Sequence, residues 1–254
     1  MNNLRVNARV LDVTDLTDQI YRMRLTCDAF GPSHPGQFVN LTVPEFFLRR
    51  PLAIADIETG EDRSTILTMI VAKVGAGTRA LAQVVPGTQV DVLGPLGNGF
   101  DLDTVGPNPV LVGGGSGIPP LYYAAKELTA RGARPHVLLG FRSARDTYSI
   151  DEFEKLGCDV SVATEDGSLG TAGYVTAVLP TDAEQVLACG PHGMLTSVVA
   201  LATGRVQVSL EAHMGCGFGA CLGCTVHTVR GLERVCLEGP VFESTDVLFD
   251  KEEA

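Results

Sequence analysis

Val110-Leu111-Val112-Gly113-Gly114-Gly115-Ser116-Gly117-Ile118-Pro119-Pro120 is the stretch on which the reading of the fold turns. Val110–Val112 reads as a short buried strand, and Pro119–Ala130 as a helix. Between them lies a run of glycines. Such a turn lets backbone approach a pyrophosphate, while the following helix presents free N–H groups and partial positive charge. Proline suits the first helical turn. The run departs from Gly-x-Gly-x-x-Gly, because Pro120 stands at the last glycine position. A tight structural turn is the simpler explanation, but the strand–glycine–helix context favours nucleotide binding.

Downstream, strand-like and helical runs alternate. His136–Leu139, Val160–Thr164, Gln185–Cys189 and Gln207–Leu210 are the strands; Ile150–Leu156, Val175–Leu179 and His192–Ala202 are helical. This order predicts a parallel sheet with helices on both faces. Upstream, Pro107-Asn108-Pro109 marks a boundary. The first hundred residues hold six β-rich runs: Val6–Val13, Ile20–Thr26, Phe38–Val43, Leu52–Ile57, Thr65–Ala72 and Gln89–Leu93. Gly and Pro pairs punctuate them, so a six-stranded antiparallel barrel is expected, with one helical turn at Leu81–Val85. Three units follow: a β-barrel over 1–104, an α/β nucleotide domain over 105–210, and a short module over 211–254.

That last module carries Cys216, Cys221, Cys224 and Cys236, spaced Cys-x4-Cys-x2-Cys and then eleven residues to Cys. This is the plant-type spacing for a [2Fe–2S] cluster. Gly215, Gly217, Gly219 and Gly223 surround the first three cysteines, which lets a loop bend tightly and bring N–H groups to sulfur. Structural zinc sites show two short ligand pairs instead. Disulfide frameworks belong to small secreted chains. Cys27, Cys158 and Cys189 read as small buried hydrophobes.

Two further segments fit anions. Arg49 and Arg50 stand among apolar residues and need an anionic partner or solvent. Lys73-Val74-Gly75-Ala76-Gly77-Thr78 offers N–H groups and a hydroxyl, although a hairpin turn explains it equally well. The net charge of −11 argues against nucleic acid. It is uneven: residues 1–100 carry 9 basic and 10 acidic side chains, and 101–254 carry 10 and 20. Glu243 to Ala254 reads as a solvated acidic tail. Without a long apolar run or a signal segment, the expectation is a cytoplasmic protein with no membrane association.

Taken in order, these residues resemble the ferredoxin-reductase superfamily. Gly115-Ser116-Gly117-Ile118-x-Pro120 is similar to its nucleotide loop, and Gly75-x-Gly77-Thr78 to its flavin pyrophosphate loop. Arg50-Pro51-Leu52-Ala53 is similar to its flavin motif, with alanine in place of serine. Cys189-Gly190-Pro191-x-x-Met194 is similar to the segment beside the nicotinamide. The cluster motif in a short C-terminal module, with Gly94-Pro95-Leu96-Gly97-Asn98-Gly99-Phe100 and Gly239-Pro240-Val241-Phe242, resembles the electron-transfer subunits of class 1B dihydroorotate dehydrogenases.

The resemblance implies FAD on the barrel, contacted by Arg50, Pro51, Leu52 and Ala53. Backbone bonds would come from Ile70, Val71 and Ala72, and Gly77 and Thr78 would hold the pyrophosphate. NAD would lie at Gly115, Gly117 and Cys189 as a diffusible acceptor. The four cysteines Cys216, Cys221, Cys224 and Cys236 would ligate the cluster. It also implies an FMN-containing catalytic subunit as partner, in a heterotetramer of two plus two, which oxidises dihydroorotate. No residue of this chain would then act as acid or base on that substrate. Subunits that feed sulfite reductase, hydrogenase or transhydrogenase systems share these motifs and form the alternative. A zinc-stabilised binding protein is a third reading.

Overall fold

The computed structural model describes residues 4–28 and 30–249. The first unit is built from β1 (Leu4–Asp15), β2 (Ile20–Cys27), β3 (Phe38–Leu41), β4 (Arg50–Ala53), β5 (Asp56–Thr59), β6 (Thr65–Ala72), helix α1 (Ala76–Leu81) and β7 (Gln89–Leu96). Period-2 patterning explains the curl. Along β2, Tyr21, Met23, Leu25 and Cys27 point inward, and Arg22 and Arg24 face out toward Asp12. With Val39, Leu41, Ile54, Leu67 and Met69 they form one closed core.

The strands run in the order β4-β3-β7-β1-β2-β6-β5, all antiparallel. The run Leu52–Ile57, expected as one strand, is two. Ile54 donates its N–H to Gln37 O at 3.1 Å and Ala55 donates to Thr68 O at 2.9 Å, so the segment passes from one sheet edge to the other. Splitting the strand is what closes the barrel. The helical turn sits at Ala76–Leu81 rather than Leu81–Val85. Thr78 Oγ1 accepts the Gly75 N–H at 3.1 Å and starts the helix five residues early.

The second unit comprises β8 (Val110–Gly114), α2 (Ile118–Ala130), β9 (His136–Phe141), α3 (Ile150–Lys155), β10 (Asp159–Thr164), β11 (Thr171–Ala172), β12 (Gln185–Cys189), α4 (His192–Leu201) and β13 (Arg205–Ser209). The expected helix over Val175–Leu179 is a 3-10 turn, Val175–Val178. Strands β8 to β13 are parallel, in the order β11-β10-β9-β8-β12-β13. Alternate residues serve opposite faces. Val112, Leu138 and Ala188 pack with α4. Leu111, Val137, Leu139 and Leu187 pack with α2 and α3.

After the cysteine loop come a hairpin, β14 (Thr225–Thr228) and β15 (Gly231–Arg234), and then β16 (Val241–Glu243). β16 runs antiparallel to β13 and ends the second sheet. The expected solvated tail therefore starts later than Glu243. Glu243 pairs with Arg205 at 2.5 Å and Phe249 packs on the core. Residues 250–254 of that tail lie outside the described residues. Among the described residues no helix is long and apolar enough to cross a membrane.

Candidate functional site

The cysteine loop is organised by backbone donors. Gly219 N–H donates to Cys236 Sγ at 3.1 Å, Ala220 N–H to Cys216 Sγ at 3.2 Å, and Cys216 N–H to Cys221 Sγ at 3.5 Å. Gly219 has φ +89, and a Cβ there would lie 2.7 Å from Leu237 Cδ2, so only glycine fits the turn that aims these groups. Side-chain contacts join Cys216 to Cys221 and Cys236 to Cys224. Burial pushes the Cys216 thiol up, but N–H groups of Phe218, Cys221 and Ala220 outweigh it and bring it down to about 6. Burial and the neighbouring Cys224 push Cys236 up to about 12.

No three His, Cys, Asp or Glu side chains among the described residues gather as a single ion would require. Two sulfur pairs with N–H donors instead fit two irons, each held by two thiolates. Cys224 and Cys236 are buried, Cys216 is half-buried and Cys221 is exposed, so the first pair faces outward. Phe218 and Leu222 stand exposed beside it.

The loop is seated on the barrel. Asn40, buried in β3, donates its side-chain amide to Cys216 O at 3.1 Å. Across the ladder Asn40 faces Pro51, Val39 faces Leu52 and Phe38 faces Ala53. Sequence reasoning missed Asn40, and nothing in its local sequence marks it.

The two adjacent arginines have different fates. Arg49, expected to bind an anion, is held against the outer wall of the barrel. It pairs with Asp91 and donates to the Asn40 and Asp91 carbonyls at 3.1 and 3.2 Å. Arg50 lies over the Phe46 ring, and a Cβ on Gly77 would overlap its Nε. Among the described residues no carboxylate pairs with Arg50. A guanidinium against a glycine at the first turn of α1 has the chemistry to hold a phosphate, with Nη1 also donating to Leu48 O at 2.6 Å. Thr78 is engaged differently from the expectation, since its hydroxyl donates to Gly75 O at 3.2 Å.

β5 covers β6 only from Thr65 to Thr68, which leaves Met69–Ala72 without a strand on that side. Thr68 turns its carbonyl to this side, so by alternation Ile70 and Ala72 do too, whereas Val71 turns to β2. The Ala72 carbonyl accepts from the Val74 N–H at 2.9 Å, so the open edge is the Ile70 N–H and carbonyl with the Ala72 N–H, and this edge fits that of a flavin ring.

The third site lies where strand order reverses, between β8 and β12, the place where ligands bind in such sheets. Gly114 to Gly117 meets the end of β12 there: a Cβ on Gly117 would overlap the Cys189 carbonyl and the Gly190 nitrogen. Tyr148, also unforeseen, donates its hydroxyl to Gly115 O at 2.6 Å, and Ser116 donates to Glu211 at 3.0 Å. Cys189 sits beside Gly117, but its thiol is buried and pushed up to about 12 by burial and then by Glu211. Its backbone, not its sulfur, borders the crevice. Arg142 and Arg145, past the end of β9, are exposed, and Asp146 accepts from Ser143 at 2.7 Å. The segments around Asn98 and Gly239 interlock behind these sites: Asn98 donates its N–H to Gly239 O at 2.6 Å and its amide to Glu238 O at 2.8 Å.

Known proteins are similar to this chain in sequence and in fold. Residues 211–248 match the family described as the iron-sulfur cluster binding domain of dihydroorotate dehydrogenase B. The dihydroorotate dehydrogenase B (NAD(+)) electron transfer subunit of Shouchella clausii is 43% identical over 229 residues, covering 85% of this chain and 87% of that protein. The Bacillus pumilus protein of the same name is 39% identical over 251 residues, covering 94% and 96%. Among solved structures, an NADH-dependent reduced ferredoxin-NADP oxidoreductase, described in connection with flavin-based electron bifurcation, superposes with a TM-score of 0.83. It is 30% identical and covers 99% of this chain and 92% of that one. The fold and the sequence together place the chain in the family of dihydroorotate dehydrogenase B (NAD(+)) electron transfer subunits.

Proposed function

We propose that this chain carries electrons from a partner subunit, which oxidises dihydroorotate to orotate on FMN in pyrimidine biosynthesis, to NAD by way of a [2Fe–2S] cluster and FAD. It is the electron-transfer component of an oxidoreductase. The observation that carries the reading is the seating of the cysteine loop on Asn40, the residue directly paired with Pro51. That contact brings the proposed cluster and flavin sites onto the same strands. A flavin exchanges electron pairs with nicotinamide and single electrons with an iron–sulfur cluster.

The chain's own residues supply position and field. Cys216, Cys221, Cys224 and Cys236 are the proposed cluster ligands. Arg50 and the N–H groups of Gly77 and Thr78 neutralise and hold the flavin pyrophosphate. Pro51, Leu52 and Ala53 form the strand beside the flavin, and Ile70 with the Ala72 N–H offers the ring an open backbone edge. Val71 holds that strand to β2. Gly115 and Gly117 let the dinucleotide approach, and Cys189 walls the crevice with its backbone. Dihydroorotate is assigned to the partner subunit, so no residue of this chain is proposed as acid or base for it.

The working division is 1–104 for flavin, 105–210 for nicotinamide nucleotide and 211–254 for the cluster. Exposed Cys221, Phe218 and Leu222 support docking of the FMN subunit at the cluster edge, in a cytoplasmic heterotetramer of two plus two. A second reading, a subunit of another nicotinamide-linked flavin system, is favoured only by the 30% identical oxidoreductase structure. Anaerobic co-purification with the catalytic partner, followed by an assay of dihydroorotate-dependent NAD reduction, decides. Activity in the pair and in neither chain alone is expected. A partner that does not oxidise dihydroorotate would transfer support to the second reading.

A further inference from the structure

The Gly219–Ala220 peptide lies between a cation and a ligand sulfur. Its carbonyl accepts from Arg234 Nη1 at 2.7 Å, and its N–H donates to Cys216 Sγ at 3.2 Å. Glu238 fixes the guanidinium on its other side. Arg234 Nε donates to Glu238 Oε2 at 3.0 Å and Nη2 to Oε1, while the Arg234 N–H donates to Oε2 at 2.8 Å. Arg234 ends β15 opposite Thr225, so it stands beside Cys224 and two residues before Cys236. One side chain thus touches the loop of one sulfur pair from the strand of the other.

We propose that Arg234 is a positioning residue that raises the reduction potential of the bound cluster, by orienting and polarising the Gly219–Ala220 peptide toward Cys216 Sγ. The inference rests on cluster ligation by the four cysteines. A charged donor on a carbonyl draws electron density from the peptide, which strengthens the donation of its N–H. An N–H directed at a ligand sulfur stabilises the more negative, reduced cluster. Glu238 brings an opposing charge, so the pair as a whole adds almost no net charge. The effect must then come from the directed peptide rather than from a bare cation, and this separates the proposal from a simple field effect.

The test is a redox titration of the cluster, followed by electron paramagnetic resonance, in the purified complex with its partner. Iron and sulfide content are measured alongside. Arg234→Gln is expected to lower the reduced-to-oxidised ratio at fixed ambient potential about tenfold, which is about 59 mV for one electron. Arg234→Lys keeps the charge but not the fork, and a smaller fall is expected. The double substitution Arg234→Gln with Glu238→Gln leaves net charge unchanged and should keep most of the fall. Return of the double variant to the original potential would overturn the proposal, as would an iron-replete Arg234→Gln protein with no shift. Should Arg234→Gln lose iron, Arg234→Lys decides alone: a lowered potential supports the role, and an unchanged one refutes it. Failure of the functional reading is separable, because that appears as absent dihydroorotate-dependent NAD reduction in the unsubstituted complex.

Discussion

Asn40 and Cys216 lie 176 residues apart in sequence, yet the Asn40 amide holds the Cys216 carbonyl at 3.1 Å. Asn40 itself is buried and the contact is partly so, which limits the competition from water. Replacing Asn40 by Ala should cost about 1 kcal/mol, roughly a fivefold loss in the docking of the loop. Iron content after dialysis should fall while flavin content stays. Equal retention of iron by both proteins would show that the contact does not hold the loop.

Cys221 is the most exposed of the four proposed ligands. Cys221→Ser should abolish the visible cluster absorption and leave flavin bound, because among the described residues no hydrogen bond joins Arg50, Gly77 or β6 to this loop. Absorption spectra with iron and flavin analysis report both at once. Simultaneous loss of flavin would show that the two sites fold as one.

Arg50 and Gly77 are tested as a pair. Arg50→Ala removes a charge-assisted contact worth about 1.5–3 kcal/mol, so FAD should bind roughly 10- to 100-fold more weakly. Gly77→Ala places a methyl group where the Arg50 guanidinium lies and should weaken FAD in the same direction. Fluorescence titration of the apoprotein measures each affinity. Unaltered binding in both variants would move the pyrophosphate elsewhere.

Gly117→Ala drives a Cβ into the Cys189 carbonyl and the Gly190 nitrogen, and backbone on both sides cannot yield. NAD reduction should be lost with flavin and iron retained. Steady-state kinetics with a soluble dye as acceptor isolates the step: dye reduction by dihydroorotate should persist. If both activities fell together, the substitution would be acting on the whole sheet.

Asp91 gives a pH dependence. Burial raises its pKa, but hydrogen bonds from Arg49 and Arg5 prevail and hold the carboxyl below its ordinary value. A depressed carboxylate stabilises the fold above its unfolded pKa and loses that contribution as pH falls through the lower, folded one. Urea midpoints should therefore drop on acidification, and less so in Asp91→Asn. Parallel curves for the two proteins would remove Asp91 from the account.

Local chemistry made most of this legible. Strand β6 and strand β12 fall where their residues place them, because alternation or continuous burial is written into Thr65–Ala72 and Gln185–Cys189. Cysteine spacing alone marks the cluster loop. What escaped was decided at long range. Leu52–Ile57 looks like one strand until Gln37 and Thr68 claim its middle from opposite edges. Arg49 and Arg50 look alike until Asp91 takes one of them. Asn40, Tyr148 and Arg234 act through partners 176, 33 and 15 residues away, and no local pattern carries that information.

The antiparallel strand Val241–Glu243 covers the edge of Arg205–Ser209 only after the cysteine loop has been traversed. On the ribosome, the nucleotide sheet must therefore wait with a bare flank until the segment beyond Cys236 emerges. Completion of the hydrogen-bond ladder and closure of the sulfur-bearing turn become a single late event. A nascent chain stalled inside that turn would expose an unpaired strand edge as well as unsheathed thiols.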